Sequence, residues 1–198
     1  MRYAQDHKDQ THERLLRTAA QAIRQGGPER LSIGRVMRDA GLTHGGFYHH
    51  FQSRSDLIVA AVDYLLREHG EPAALLAGPD PEAALACYLD FYLSLPHRDA
   101  EGASCPFLFL LSGGVRLPVE ARRRVTGEWA RMNGALAALL AKSGRPDPGR
   151  LAQAVLAEIV GRLSLARIEP DEAVAAAQLE AARHELKARL GLVAACEA

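Results

Sequence analysis

The stretch Gly41-Leu42-Thr43-His44-Gly45-Gly46-Phe47-Tyr48-His49-His50-Phe51 decides how the rest of the chain reads. It opens on a glycine turn and crowds three histidines and three aromatics beside two residues that have no side chain. Upstream, Leu15, Leu16, Ala19, Ala20 and Ile23 recur at helical spacing from a cap at Thr11, until Gly26-Gly27-Pro28 stops them. Residues 1–10 are polar and read as an arm outside this helix. Ser32 then caps a second helix, with Ile33, Val36, Met37 and Ala40 at i, i+3, i+4 and i+7. Gly41 ends it as a left-handed C-cap residue. Leu42 fills the turn, and Thr43 caps a short third helix to about His50. Beyond it, Ser53 with Asp56 makes a capping-box-like start to a fourth helix, running through Leu57, Ala61, Tyr64 and Leu65 to about His69. Two helices joined by a tight turn, the second carrying small residues and hydrogen-bond donors, form the pattern of a helix-turn-helix whose second helix enters a DNA major groove.

The remainder is also helical, with no alternation of period two. Gly78-Pro79-Asp80-Pro81 is a break, followed by a helix at about 81–95. A polar loop spans Pro96 to Ala103. A short apolar helix covers about 104–112 and ends at Gly113-Gly114. Pro118 starts a long helix to about Ala141, Leu151 through Ala166 forms another, and Pro170 begins the last, to about Leu190. The expected fold is all-α, with about nine helices: a three-helix head and a six-helix body. The expected domains are a helix-turn-helix DNA-binding domain at 1–56 and a ligand-binding and dimerisation domain at 57–198.

Charge supports this division. The 198 residues carry no formal net charge, which argues against indiscriminate coating of nucleic acid. Residues 1–56 nevertheless hold nine Lys+Arg against six Asp+Glu, and five of the eight histidines. A modestly basic head on a mildly acidic body suits site-specific DNA binding. The three cysteines, Cys87, Cys105 and Cys196, are far apart and lack CxxC spacing, so they make neither a disulfide framework nor a zinc site. The polar N-terminus shows no signal peptide, and no apolar run nears the roughly 18 residues that span a bilayer. The expected location is the cytoplasm, with no membrane partner. No GxSxG, P-loop, HExxH or GxGxxG motif is present, so neither an enzyme nor a bound cofactor is expected.

Over residues 11–62 the chain resembles the TetR family of bacterial transcriptional repressors. The features that carry the resemblance come in order: the first helix, the Ser32-Ile33 start of the second, the turn Ala40-Gly41-Leu42-Thr43, the Phe47-Tyr48-His49-His50-Phe51 core, and Ser53-Arg54-Ser55-Asp56-Leu57. The last piece is similar to the family's Phe-x-x-Lys-x-x-Leu pattern, with Arg54 in the Lys place. Residues 70–198 resemble the family in architecture. In addition, Gly102-Ala103-Ser104-Cys105-Pro106, with Leu110-Leu111 following, is similar to a Gly-Cys-Pro segment of some members, in which the cysteine senses electrophiles or oxidants.

The resemblance implies that Tyr48 and His49 contact phosphates. The residues themselves supply the rest of a DNA-reading set. Thr43 caps the third helix with hydroxyl and amide within reach of a phosphate. His44 sits at the end that faces base edges, and Gly45 and Gly46 permit close approach. The glycine pair also fits a poorer helix or a longer turn. Ser32 and Arg54, at the starts of helices two and four, are placed to clamp the flanking backbone, and Arg35 to pair bidentately with guanine. His44, His49 and His50 do not share a face as a helical zinc pair would, so no metal is expected. Phe47 and Phe51, four apart, read as core.

In the body, Tyr88, Phe91, Tyr92, Phe107, Phe109, Trp129 and Met132 either line a cavity for an apolar or amphipathic effector or form ordinary core. Cys105, at a predicted helix start, is either a reactive thiolate or a small buried hydrophobe. Leu151, Val155, Leu156, Ile159, Val160 and Leu163 are too many apolar positions for one packed face, and Leu179 and Leu186 offer a second seam. Two such helices from each subunit would make a four-helix dimer interface, or else thicken a monomer's core. The reading is a homodimeric repressor of a palindromic operator on double-stranded DNA, released by a small molecule of unknown identity or by an electrophile or oxidant. The alternative is an activator, or a small-molecule-binding dimer without repressor activity.

Overall fold

The computed structural model describes residues 2–68, 79–99, 105–111 and 113–192. The expected features at His69, Gly78, Gly102 to Ser104 and Cys196 lie outside the described residues. Nine α-helices and three 3-10 segments make up the described chain, which holds no β-strand. They are α1 (Arg2–Gly26), α2 (Ile33–Asp39), α3 (Arg54–Glu68), α4 (Pro81–Tyr92), α5 (Leu95–Asp99), α6 (Phe107–Leu110), α7 (Val119–Lys142), α8 (Pro148–Ile168) and α9 (Glu172–Arg189). The 3-10 segments are Pro28–Arg30, His44–His49 and Gly114–Arg116.

Three expectations change. The polar residues before Thr11 are the beginning of α1, and Thr11 is buried inside that helix rather than capping it. Apolar spacing reports only a buried face, whereas Arg, Gln and Lys are themselves good helix formers. The third helix is a 3-10 segment, not an α-helix. The loop expected from Pro96 is, over Leu95–Asp99, the single turn α5. Proline at a second helical position removes no intrahelical hydrogen bond, and the Ser94 hydroxyl accepts from the His97 amide at 3.2 Å to start the turn.

The described residues form two compact units: one within 1–68 and 109–127, the other within 69–108 and 128–198. In the first unit, α1 packs on α3 and α2, and α2 packs on the 3-10 segment His44–His49. Of the expected head core, Leu16, Ala20, Ile23, Val36, Ala40, Phe47 and Phe51 are buried, and Leu42 is half-buried. The Arg24 guanidinium meets Glu68 at 2.6 Å, tying α1 to the end of α3.

In the second unit, α8 packs along α9, α9 reaches α4, and α5 contacts all three. Asp80 and Asp171 cap α4 and α9, each accepting from two backbone amides. Lys187 bridges to Asp90 at 2.7 Å, joining α9 to α4.

Candidate nucleic-acid interface

The turn before the reading segment is fixed by backbone chemistry. Gly41 has φ of +71°, and no Cβ-bearing residue adopts that value cheaply. Its amide donates to Arg38 O at 2.9 Å, and the Leu42 amide donates to Met37 O at 2.8 Å. This pair of bonds is a Schellman closure of α2. The chain then re-enters helical geometry at His44, with the Gly46 amide donating to Thr43 O at 3.0 Å and the His50 amide to Phe47 O at 2.9 Å. Each bond spans three residues, as in a 3-10 helix. Two adjacent glycines weaken the longer α-helical ladder by about 1 kcal/mol each, which fits the tighter form.

This segment has an inner and an outer side. Phe47 is 1% exposed and stacks on Phe51 at 5.7 Å, anchoring the segment to the core. Thr43, His44, Gly45, Tyr48 and His49 are exposed, Tyr48 to 69%. A Cβ at Gly45 would meet nothing within 4 Å, so no contact among the described residues requires glycine there. At Gly46 a Cβ would make ordinary contact with Met37 and Thr43. The His44 imidazole lies beside Gly34 of α2. Ser32 and Thr43 occupy N-cap positions but their side chains make no cap hydrogen bond. Arg35 is exposed, with an i,i+4 ion pair to Asp39 at 3.5 Å. Behind the segment, His12 of α1 stacks on Phe51 at 5.1 Å. Burial first, and then His12, Lys8 and His49, hold the His50 imidazolium form down.

Arg54 does not extend outward as expected. Its Nε donates to Leu31 O at 2.9 Å, and Nη2 donates to Pro28 O at 2.8 Å and Glu29 O at 3.0 Å. The guanidinium fork thus staples the start of α3 to the Pro28–Arg30 turn. A positive residue at a helix start is visible in sequence; three convergent carbonyls from 23 to 26 residues earlier are not.

The candidate effector residues are only partly brought together. Tyr88 and Tyr92 are buried with ring centroids 4.6 Å apart, and burial raises both phenols. Phe107 meets Trp129 edge to face at 5.2 Å. Met132 is buried. Phe91 is 41% exposed, with its ring edge to face on Tyr92 at 5.4 Å and against His97 at 4.8 Å, and Phe109 is buried and belongs to the first unit. Burial pushes the Cys105 thiol up to about 12, although the Phe107 and Leu108 amides favour its thiolate. Desolvation outweighs the helix start, so the buried-hydrophobe alternative is the one the structure favours.

Most residues of the expected dimer seam face inward within the single chain. Leu156, Ile159, Leu163, Leu179 and Leu186 are buried within the single chain, and Val160 is half-buried. α9 and α5 pack against α8, and its buried apolar residues serve the chain's own core. The outward apolar residues are Leu165, Ile168 and Val174, at 59%, 77% and 43% exposure. Beside them lies a recess of about 320 Å³ lined by Arg162, Leu165, Ile168, Glu169 and Gln178. Among the described residues, no group of three His, Cys, Asp or Glu is placed to hold a metal ion. No described helix is long and apolar enough to cross a membrane.

Residues 15–61 match the family model of bacterial regulatory proteins, tetR family. The chain is similar over its length to a TetR transcriptional regulator from Chloroflexus aurantiacus, at 28% identity and a TM-score of 0.80, covering 96% of this chain and 97% of that one. It shares its fold with reduced NemR from E. coli, at 21% identity and a TM-score of 0.78, covering 90% and 96%. It also shares the fold with AibR, solved with isovaleryl coenzyme A and operator DNA, at 18% identity and a TM-score of 0.66, covering 86% and 97%. No curated relative matches the chain.

Proposed function

Because the chain belongs to the TetR family of bacterial regulatory proteins, and so is a transcriptional regulator with a DNA-binding helix-turn-helix, we propose that it is a homodimeric repressor of a palindromic operator. Residues 1–56 bind DNA, and residues 57–198 bind an effector and dimerise. The observation that carries the reading is the exposed row Thr43, His44, Gly45, Tyr48 and His49 on a segment anchored by buried Phe47. Tyr48 and His49 contact phosphates, His44 faces base edges, and Gly45 lets the groove approach the backbone. Arg35, exposed on α2, reaches a guanine, and Ser32 contacts the flanking phosphate.

A small molecule, rather than thiol modification, provides the release signal. A thiol held up at about 12 is protonated at neutral pH and is a poor nucleophile. The Tyr88–Tyr92 and Phe107–Trp129 pairs are the candidate receiving side chains, and Leu165, Ile168 and Val174 supply the apolar part of the dimer contact. A two-fold dimer requires a two-fold operator.

The test is selection of duplex DNA from a random pool, followed by anisotropy of the winner against salt. The expected winner is a palindrome bound with steep salt dependence and weakened by Tyr48→Ala. An absence of enrichment, or binding indifferent to Tyr48→Ala, refutes the repressor reading.

A further inference from the structure

The segment 109–127 packs as part of the first unit, although α6 and α7, at its two ends, both continue into the second. It meets the head at the Pro28–Glu29 turn. Gly113 is buried there, and a Cβ on it would lie 3.3 Å from Pro28 Cγ and Cδ and 3.2 Å from Glu29 Oε1. The segment's backbone therefore lies closer to the proline ring than most Cβ-bearing residues would sit. Three residues on, the Arg116 guanidinium pairs with the Glu29 carboxylate, which first its own backbone amide and then Arg116 hold below its ordinary range. Further along, Arg124 faces Asp63 of α3 at 3.8 Å.

The carbonyls of that same turn, Pro28 and Glu29, with Leu31 beyond, are the ones Arg54 grips. Arg54 opens α3, three residues after Phe51, which is stacked on Phe47 of the reading segment. A short, continuous set of contacts thus runs from Gly113 and Arg116, through Pro28-Glu29 and Arg54, to the residues that carry Tyr48 and His49. The ion pair itself is exposed, Arg116 to 65%, so it adds little to folding. Its worth lies in where it holds the turn.

We propose that Gly113 and Arg116 are positioning residues for the DNA-reading head, passing displacements of α6 and α7 to the Pro28–Glu29 turn and through Arg54 to the reading segment. This rests on operator binding as read above. Coupling is reciprocal: if body displacement alters DNA affinity, DNA alters the body. No effector is therefore needed for the test.

The full chain is treated with iodoacetamide with and without the selected operator, and alkylation of the Cys105 peptide is followed by mass spectrometry. Cys105 begins the stretch that leads through α6 to Gly113, and its modification reports opening there. In the unaltered protein, saturating operator is expected to change the rate about fivefold or more, the lower end of ordinary coupling. In Arg116→Gln, operator affinity stays within about threefold while the operator effect on the rate falls below about twofold. Glu29→Arg combined with Arg116→Glu restores it, which a merely structural role would not do. Gly113→Ala, which crowds Pro28 and the Glu29 carboxylate while leaving both charges in place, weakens the same effect. An undiminished operator effect in both Arg116→Gln and Gly113→Ala overturns the proposal, as does an operator-independent rate in the unaltered protein. Failure of the unaltered protein to bind any operator in the same titration is a different result, and removes the repressor reading itself.

Discussion

Replacing Arg54 separates a structural staple from a phosphate contact. Its guanidinium donates three hydrogen bonds to backbone carbonyls of the Pro28–Leu31 stretch. A hydrogen bond to a charged group contributes about 1.5–3 kcal/mol. These three share one side chain, and one is exposed, so they do not add in full. Arg54→Ala is therefore expected to cost about 2–4 kcal/mol, lowering Tm by roughly 5–15 °C for a chain of this size. Arg54→Lys keeps the charge but cannot span three acceptors, so most of the loss remains. The decisive assay is the slope of log K against log salt for the operator. A dimer losing one phosphate contact per subunit changes that slope by about 1.8. The staple role leaves the slope within about 0.5 of the original, with affinity reduced uniformly. A slope reduced by about 1.8 with an unchanged Tm refutes the argument and returns Arg54 to the phosphate backbone.

Three further outcomes follow from burial. His97 is 3% exposed against the Phe91 and Tyr92 rings, and desolvation lowers it from 6.5 to about 4. Its folded value lies below its unfolded one, so its contribution is complete above about 6.5 and is lost as pH falls towards 4, by about 3 kcal/mol at most. Urea unfolding of the protein and of His97→Phe between pH 7 and 4 should diverge by that amount, and parallel pH dependences would contradict it. The Cys105 thiol, held at about 12, should be alkylated at pH 8 at least about a hundredfold more slowly than in urea; equal rates would reopen thiol sensing. Leu165→Glu with Ile168→Glu should yield a folded monomer in sedimentation, whereas Leu163→Glu should unfold the chain; a persisting dimer places the contact elsewhere.

The sequence makes some of this architecture legible and hides the rest for physical reasons. The helix-turn-helix is readable because its determinants are local: the i, i+3, i+4, i+7 set of α2, the left-handed Gly41, and the Phe47/Phe51 pair. The inward facing of Leu156, Ile159 and Leu163 is hidden, because a helix packed against others of its own chain looks like one awaiting a partner. α5 is hidden by Pro96, which reads as a breaker although it sits where proline is tolerated. The role of Arg54 is invisible because it depends on where carbonyls converge. The packing of 109–127 with the head is equally non-local, since neither Gly113 nor Arg116 is distinctive until Pro28 and Glu29 stand opposite them.

The 3-10 geometry of His44–His49 also sets a length. Six residues in an α-helix advance about 9 Å, at roughly 1.5 Å each. The same six in a 3-10 helix advance about 12 Å, at roughly 2.0 Å each, which equals the width of a B-form major groove. On the proposed DNA-binding reading, the glycine pair lengthens a short reader to the span of the groove. A substitution that returned this segment to an α-helix would shorten the reader by about 3 Å, close to the spacing of one base pair.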